Sequence, residues 1–252
     1  MLRSSLFLLV TLLLFGCSNP VTINTGNTRL DSPEISAQAW RPQIGITLGS
    51  TTETELWLDD GDLNHWGSYI DAGIRGSLTV APRLALAIRD EHSGTLYQIK
   101  YQFWGQGQGE AATGNVSQAV TLGALTHSQN RQMTLRDQDK NDLFDRWEHD
   151  ISGIDAAWIV GYRASNRVML YGGPYYRDNR VKGQQKRWYP DEDPHWQEDY
   201  RLDGRSYGAN LAMEIRWRMG LGLTLEYVRS YTEWETLKER NSNLHFMLDY
   251  QF

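Results

Sequence analysis

The last ten residues of the chain alternate between apolar and polar side chains, and this pattern constrains the fold more than any other. Leu244, Phe246, Leu248, Tyr250 and Phe252 occupy one set of alternate positions, and mainly polar residues occupy the other. Because successive side chains of a β-strand point to opposite faces, the pattern predicts a strand with one apolar, aromatic-rich face. Such a face has to be covered, either by a protein core or by lipid.

The same alternation recurs along the chain and indicates about ten strands, with eight or twelve as alternatives. The nine upstream strands are marked, in order, by Ile44, Ile70, Leu86, Ile99, Leu122, Trp158, Leu170, Leu211 and Leu225. Links after the second, fourth, sixth and eighth strands are short or glycine-rich. Those after the first, fifth, seventh and ninth are long and charged, and the short third link breaks the alternation. The pattern predicts an all-β fold, an antiparallel up-and-down transmembrane β-barrel over residues 40–252, with long extracellular loops.

The alternation does not by itself say which face points inward. A mean hydropathy of −0.55 excludes a helical membrane protein, but it is compatible with a barrel in which only alternate residues meet lipid. A soluble barrel would hold its apolar face inside, whereas the final Phe252, the unequal links and the aromatic residues near strand ends favour an outward apolar face. The lumen would then be lined by Asp71, Arg75, Lys100, Asp155, Arg163, Glu214, Arg216, Glu226 and Asp249. Since unpaired buried charge is costly, we expect these charges to pair and the barrel to be mostly plugged.

The terminal strand Asn243 to Phe252, with its alternation and final phenylalanine, resembles the C-terminal signal of bacterial outer-membrane β-barrels. The resemblance implies contact with outer-membrane lipid and insertion by the barrel-assembly machinery, which would engage this strand. The size of the chain and its terminal strand also resemble, more weakly, solitary autotransporter-type barrels, for which ten strands is a low count. A net charge of −6 argues against a nucleic-acid partner, which requires a basic face.

The N-terminus carries an export signal. Arg3 precedes an apolar run that is too short to span a bilayer and is typical of a secretory signal. Leu14-Phe15-Gly16-Cys17 resembles the bacterial lipobox, although Phe15 is atypical, and this implies a signal peptide over residues 1–16 and lipidation of Cys17. A plain signal peptide with a chance cysteine is the alternative. Residues 17–39 are predicted to form a lipidated tether on the periplasmic side, or alternatively to fold back into the lumen.

The segment Asp137 to Glu148 has the spacing of an EF-hand calcium loop. Oxygen ligands are predicted from Asp137, Asp139, Asn141, the main chain of Leu143, Asp145 and Glu148. Position six of the loop is Asp142, where the pattern requires glycine. The segment also resembles the aspartate-rich calcium repeats of secreted bacterial proteins. Calcium is therefore the cofactor that the sequence predicts, with the role of ordering a long loop, and a solvated acidic loop is the alternative.

Catalytic interpretations depend on residues that are common in any loop. Asp59 and His65 in one loop, and Glu148 to Asp150 in another, resemble the aspartate and histidine pairs of omptin-type barrel proteases. The aromatic and charged residues from Arg187 to Trp196 suit contact with a surface ligand or protein partner, or a loop folded over the barrel mouth. We assign no catalytic residue. The sequence favours a non-enzymatic envelope component, with a narrow outer-membrane channel or an outer-rim hydrolase as alternatives.

Overall fold

The computed structural model describes residues 21–25, 28–57, 62–91, 94–136, 142–190 and 193–252, apart from some side chains within those ranges. The strands are β1 (Val21–Thr25), β2 (Arg41–Trp57), β3 (Asp62–Ala81), β4 (Leu84–Glu91), β5 (Gly94–Trp104), β6 (Val116–Arg136), β7 (Asp142–Arg163), β8 (Val168–Trp188), β9 (Trp196–Arg216), β10 (Leu221–Glu233) and β11 (Lys238–Gln251). In the described residues, β2 to β11 pair in sequence order, and the sheet closes because β2 pairs with both β3 and β11. The predicted ten-stranded antiparallel barrel is confirmed. No helix in these ranges is long and apolar enough to cross a membrane.

The part of the barrel nearest to the short turns has an apolar outer surface, and we call it the membrane half. Phe246 and Leu248 of β11 and Trp158 of β7 are about half exposed. Their neighbours along each strand point inward, so that Asp155 and Asp249 are buried. An apolar outer band around a polar lumen is the arrangement of a transmembrane β-barrel, in which lipid covers the band. The predicted outward direction of the apolar face is therefore confirmed, and the short turns mark the periplasmic end.

The strands continue beyond the apolar band, and we call this extension the outer half. It comprises residues 51–57 of β2, 62–69 of β3, 125–136 of β6, 142–152 of β7, 180–188 of β8, 196–203 of β9 and the adjoining ends of β4, β5, β10 and β11. Its outer surface is polar, with Asp150 and Lys182 exposed. Its interior contains an apolar core, in which Trp147, Ile151 and Val181 are almost fully buried, together with buried polar residues such as Asp145 and Gln185. The outer half is therefore built like a soluble barrel, with its apolar side chains inside.

The long charged links that were predicted as loops are strands where the structure describes them. The β6–β7 ladder continues from the pair Thr126–Ser152 to the pair Arg136–Asp142, and the β8–β9 ladder continues as far as Arg187–Trp196. The prediction of long loops is wrong because apolar residues move from the outward face to the inward face at the edge of the lipid. This change of phase interrupts the alternation, although the main-chain ladder continues.

The N-terminal segment lies inside the barrel. β1 pairs with β2 in the outer half, from Val21–Leu56 to Thr25–Thr52. Residues 28–40 then lead to the start of β2 at the periplasmic end, and residues 28–36, which we call the plug, are buried apart from the half-buried Ser32. A tether in solvent would leave this segment exposed. Over the described residues it takes the second predicted course and folds into the lumen.

Candidate functional site

The lumen of the membrane half is the candidate functional site, because the inward positions of the barrel meet the plug there. Asp155 points inward from β7 and is fully buried. Arg29 of the plug donates from Nη1 to both of its oxygens, at 2.7 and 2.6 Å, and Arg177 of β8 donates from Nε at 3.0 Å. The Arg29 guanidinium also lies 3.6 Å from the centre of the Tyr175 ring. One carboxylate thus forms ion pairs with a plug residue and with a wall residue.

A second buried carboxylate, that of Glu226 on β10, holds the main chain of the plug. Its oxygens accept hydrogen bonds from the N–H groups of Arg29 at 2.9 Å and Leu30 at 2.8 Å. The side-chain amide of Asn210 donates to the same carboxylate at 2.6 Å, and His245 Nδ1 lies 3.2 Å from it. Glu226 therefore fixes the position of the plug backbone, whatever side chains the plug carries.

The next part of the plug is held by cations of the barrel wall. Arg75 of β3 forms a buried ion pair with Asp31 and also donates to the carbonyl oxygen of Leu30. Lys100 of β5 donates from Nζ to the carbonyl oxygen of Ser32 at 3.0 Å. Wall cations thus satisfy both a plug side chain and plug carbonyl groups, as buried polar groups require.

The periplasmic end of the plug is held by the β7 and β5 strands and by the link between β5 and β6. Arg163 Nε donates to the Glu34 carboxylate at 3.1 Å, and the Asn115 amide donates to it at 2.9 Å. The Ile35 N–H donates to the Gln102 side chain at 2.8 Å, and the Ile35 carbonyl accepts from the Gln108 N–H at 2.8 Å. The predicted pairing of lumen charges is confirmed, and the charged residues of the plug are partners that the sequence analysis did not identify.

The interior of the outer half is an apolar core to which β1 contributes. Its buried members are Val21, Ile23, Leu56, Leu96, Leu125, Trp147, Ile151, Val181, Leu202 and Trp234. His149 is stacked on Trp147, with ring centroids 5.1 Å apart, and its Nδ1 lies 3.4 Å from Tyr200 Oη. Burial, reinforced by the neighbouring His127, lowers the pKa of His149 to about 4 although Asp150 opposes the shift. His149 is therefore a neutral member of this core at pH 7.

The residues predicted to bind calcium are not all described, and those that are described do not converge. Asp137, Asp139 and Asn141 lie outside the described residues, while Leu143, Asp145 and Glu148 belong to β7. Asp145 points inward and accepts hydrogen bonds from Gln185 at 2.7 and 2.9 Å. Glu148 is exposed on the opposite face, where it pairs with Arg146. In the described ranges, no three His, Cys, Asp or Glu residues are grouped to hold a metal, and calcium binding stays a prediction.

The residues considered for catalysis are separated by the strand geometry. His149 points into the apolar core, whereas Glu148 and Asp150 point to solvent. Asp59 and the side chain of His65 lie outside the described residues. The same is true of Cys17, the residue predicted to be lipidated. Along the described part of β7, the three neighbouring residues therefore do not form a pair of histidine and carboxylate that could activate water.

The plug charges Arg29, Asp31 and Glu34 are the residues of the candidate site that sequence reasoning missed. A usable signal was present, because these are the charged residues of an otherwise uncharged polar segment, residues 18–39. Their mixture of signs also complements a lumen predicted to contain both signs. Alternation could not identify them, since the plug has no regular period of its own.

No protein-family model matches the sequence, and no curated protein is significantly similar to it. The fold is similar to Ail, the attachment invasion locus protein of Yersinia pestis, with 10% identity, 85% of this chain and 100% of that chain covered, and a TM-score of 0.34. It is also similar to the outer membrane protease OmpT of Escherichia coli, with 8% identity, 87% and 98% covered, and a TM-score of 0.39. At these values neither similarity carries an argument about this chain. Its assignment as an outer-membrane type of β-barrel rests on the apolar band and the polar lumen.

Proposed function

We propose that the protein is a non-enzymatic component of the bacterial envelope, a sealed outer-membrane barrel that holds its outer half as a rigid surface platform. The observation that carries this proposal is the pairing of the plug charges with the wall, in the ion pairs Arg29–Asp155, Asp31–Arg75 and Glu34–Arg163. Releasing the plug would leave buried charges on both sides without these partners, which is costly. The narrow channel is therefore the less favoured alternative.

The platform follows from the packing of the outer half. Its interior is packed by an apolar core and by buried polar side chains, so its polar outer face and its hairpin tips are the surfaces available to a ligand or protein partner. At the β8–β9 tip, the Arg187 guanidinium lies 4.8 Å from the centre of the Trp196 ring, and Tyr189 stacks on His195 at 5.2 Å. Aromatic residues and arginine are enriched at protein contact surfaces, which supports this tip as the binding region.

Recordings of the full chain in planar lipid bilayers test the seal. We expect the wild-type barrel to insert without a steady conductance. The triple variant Arg29→Ala, Asp31→Ala, Glu34→Ala removes the plug charges and should produce stepwise conductance. The matched control Arg201→Ala, Asp203→Ala, Asp199→Ala removes the same charges from the exposed face of the outer half and should stay silent.

Heat-modifiability on denaturing gels verifies that each variant is folded before it is recorded. A folded barrel migrates differently in unboiled and boiled samples. A wild-type conductance as large as that of the plug variant would contradict the proposal and favour the channel. Silence of a folded plug variant would show that the plug ion pairs are not what closes the lumen.

This proposal includes lipidation of Cys17. It places the lipid anchor on the outer side of the membrane, whereas the sequence analysis predicted the periplasmic side. Cys17 is outside the described residues, and Val21 pairs with Leu56 in the outer half. Leu56 is about 50 Å along β2 from Arg41 at the periplasmic end, whereas the four residues from Cys17 to Val21 span at most about 14 Å. An acyl group on Cys17 would therefore be held near the outer surface.

Two measurements test this anchor. Incorporation of an alkyne-labelled fatty acid should be lost in Cys17→Ser and retained in a Ser18→Ala control. An epitope inserted after Ser18 should be recognised by antibody on intact cells. Recognition only after the outer membrane is permeabilised would restore the periplasmic anchor.

A further inference from the structure

The periplasmic end of the barrel contains a cavity of about 970 Å³ next to the plug. It is bounded by the end of the N-terminal segment, by the turn between β7 and β8 at Arg167, and by the turn between β9 and β10 at Arg218. A cavity of this size accommodates a small ligand or a lipid headgroup. It opens toward the periplasm, because the short turns form its walls.

Five arginines line this cavity: Arg41, Arg163, Arg167, Arg216 and Arg218. Two of them are compensated inside the barrel, because Arg163 pairs with Glu34 and Arg216 pairs with Glu214 and Asp249. Glu110 also lines the cavity and opposes the positive charge of the others.

Of the remaining arginines, Arg167 and Arg218 supply the excess positive charge, since Arg41 is engaged by neighbouring groups. Arg41 donates to the Gln38 side chain at 2.7 Å and to the main-chain oxygen of Phe252 at 2.7 Å. Arg167 and Arg218 are exposed, and neither forms an ion pair within the described part of the chain. A concave wall with uncompensated guanidinium groups attracts anions, and the planar fork of arginine matches the oxygens of a phosphate.

The rim of the same cavity is apolar. Met219 is 71% exposed and Phe252 is 55% exposed, and Trp217 lies beside them. Phe252 follows the lipid-facing residues of β11, so this rim continues the apolar band of the membrane half. Aromatic side chains at the edge of such a band lie at the level of the lipid headgroups. The cavity therefore places cationic groups next to the region where the headgroup phosphates of the inner leaflet lie.

We propose that this cavity binds a phosphate-bearing anion, with Arg167 and Arg218 as its main contacts. The shared chemistry is a phosphate group held by arginine side chains. Its source is either a phospholipid headgroup of the periplasmic leaflet or a soluble phosphate compound. The inference goes beyond the sealed platform, and it holds whether or not the plug closes the lumen.

The test uses the full chain in a maltoside detergent, which carries no phosphate. Calorimetric titrations with short-chain phosphatidylglycerol and with glycerol 3-phosphate distinguish the two sources. We expect at least one of them to bind, and the variant Arg167→Ala, Arg218→Ala to weaken that binding about tenfold or more. The control variant Arg131→Ala, Arg229→Ala removes two exposed arginines from elsewhere on the barrel and should bind as the wild type does.

Each outcome decides the proposal. Binding of either probe, or of both, with a loss in the Arg167→Ala, Arg218→Ala variant supports it, and the relative affinities identify the source. Binding that is unchanged in this variant overturns it. Binding of neither probe overturns it. An equal loss in the control variant also overturns it, because the effect would then come from net charge and not from this cavity. Heat-modifiability verifies that both variants are folded. The conductance recordings test the plug with other residues and another readout, so either proposal can fail without the other.

Discussion

The two halves of the barrel are built in opposite ways, and β7 shows both within one strand. In the membrane half, Asp155 and Arg163 point inward while Ile154 faces lipid. In the outer half, Trp147 and Ile151 point inward while Glu148 faces water. The strand does not rotate between the two halves, since odd positions point inward throughout. Whether lipid or water covers the outer face therefore decides whether the inward side chains at that level include charged or apolar residues.

The N-terminal segment follows the same division. Val21 and Ile23 of β1 join the apolar core of the outer half, whereas Arg29, Asp31 and Glu34 pair with charges in the membrane half. The N-terminal segment thus adds apolar side chains to the core of the outer half and charged side chains to the ion pairs of the membrane half. At each level of the barrel, the N-terminal segment therefore carries side chains that match the inward side chains of the wall at that level.

The replacement Asp155→Ala should have the largest effect, in the membrane half. It removes the carboxylate that compensates Arg29 and Arg177, and removing one partner of a buried ion pair costs about 3–5 kcal/mol. The free energy of unfolding is measured by urea titration of the heat-modifiable band. Asp203→Ala, which removes an exposed carboxylate paired with Arg201, serves as control and should cost at most about 1 kcal/mol. Equal losses would show that the plug ion pairs do not stabilise the membrane half.

The replacement Ile151→Ala should act on the outer half alone. Truncating a buried isoleucine costs about 2–5 kcal/mol, and Ile151 contacts the outer core and not the lipid band. Hydrogen exchange should become faster in the outer parts of β6 to β9 and stay unchanged beside the lipid. Ser152→Ala changes the neighbouring exposed position and should cost less than about 0.5 kcal/mol. A uniform acceleration through both halves would mean that they share one cooperative core.

Acid should weaken the outer half more than the membrane half. Burial lowers the pKa of His149 to about 4, below the ordinary value of about 6.5. The unfolded chain then binds the proton more readily than the folded chain, so this stability is complete above about pH 6.5 and is lost as the pH falls toward 4. Hydrogen exchange at pH 7 and pH 5, corrected for intrinsic rates, measures the effect. His149→Phe keeps the stacking on Trp147 and should reduce the difference in hydrogen exchange between pH 7 and pH 5. If this difference is unchanged in the variant, groups other than His149 cause it.

Calcium should have the smallest effect, confined to the tip of the β6–β7 hairpin. Asp145 already accepts hydrogen bonds from Gln185, so at most part of the predicted ligand set is available there. We expect millimolar calcium to slow proteolysis at residues 137–141, as for other extracellular sites of about 10⁻⁴–10⁻³ M. Asp137→Asn, Asp139→Asn should abolish this protection, and the control Asp199→Asn, Asp203→Asn should keep it. Identical digestion with calcium and with chelator would show that the tip of the hairpin is a solvated acidic segment that binds no calcium.

Sequence reasoning predicted the number of strands and their faces wherever lipid covers one side. In the membrane half, every second residue is apolar and points outward, as Phe246 and Trp158 do. This alternation can be read from a short stretch of sequence. The length of the strands could not be predicted in the same way. On β9, apolar residues change from the outward Tyr207 to the inward Leu202, and such a change of phase looks like the end of a strand even though the ladder continues.

The sequence alone determined the all-β class, a strand count of about ten and the charged residues that line the lumen, because each depends on alternation between neighbouring residues. Only the tertiary structure decided what fills that lumen. Arg29 and Asp155 are 126 residues apart, and no local period connects a segment without regular structure to a particular level of the barrel. Their pairing is decided by the cost of burying either charge alone, which exists only once the barrel has closed around both.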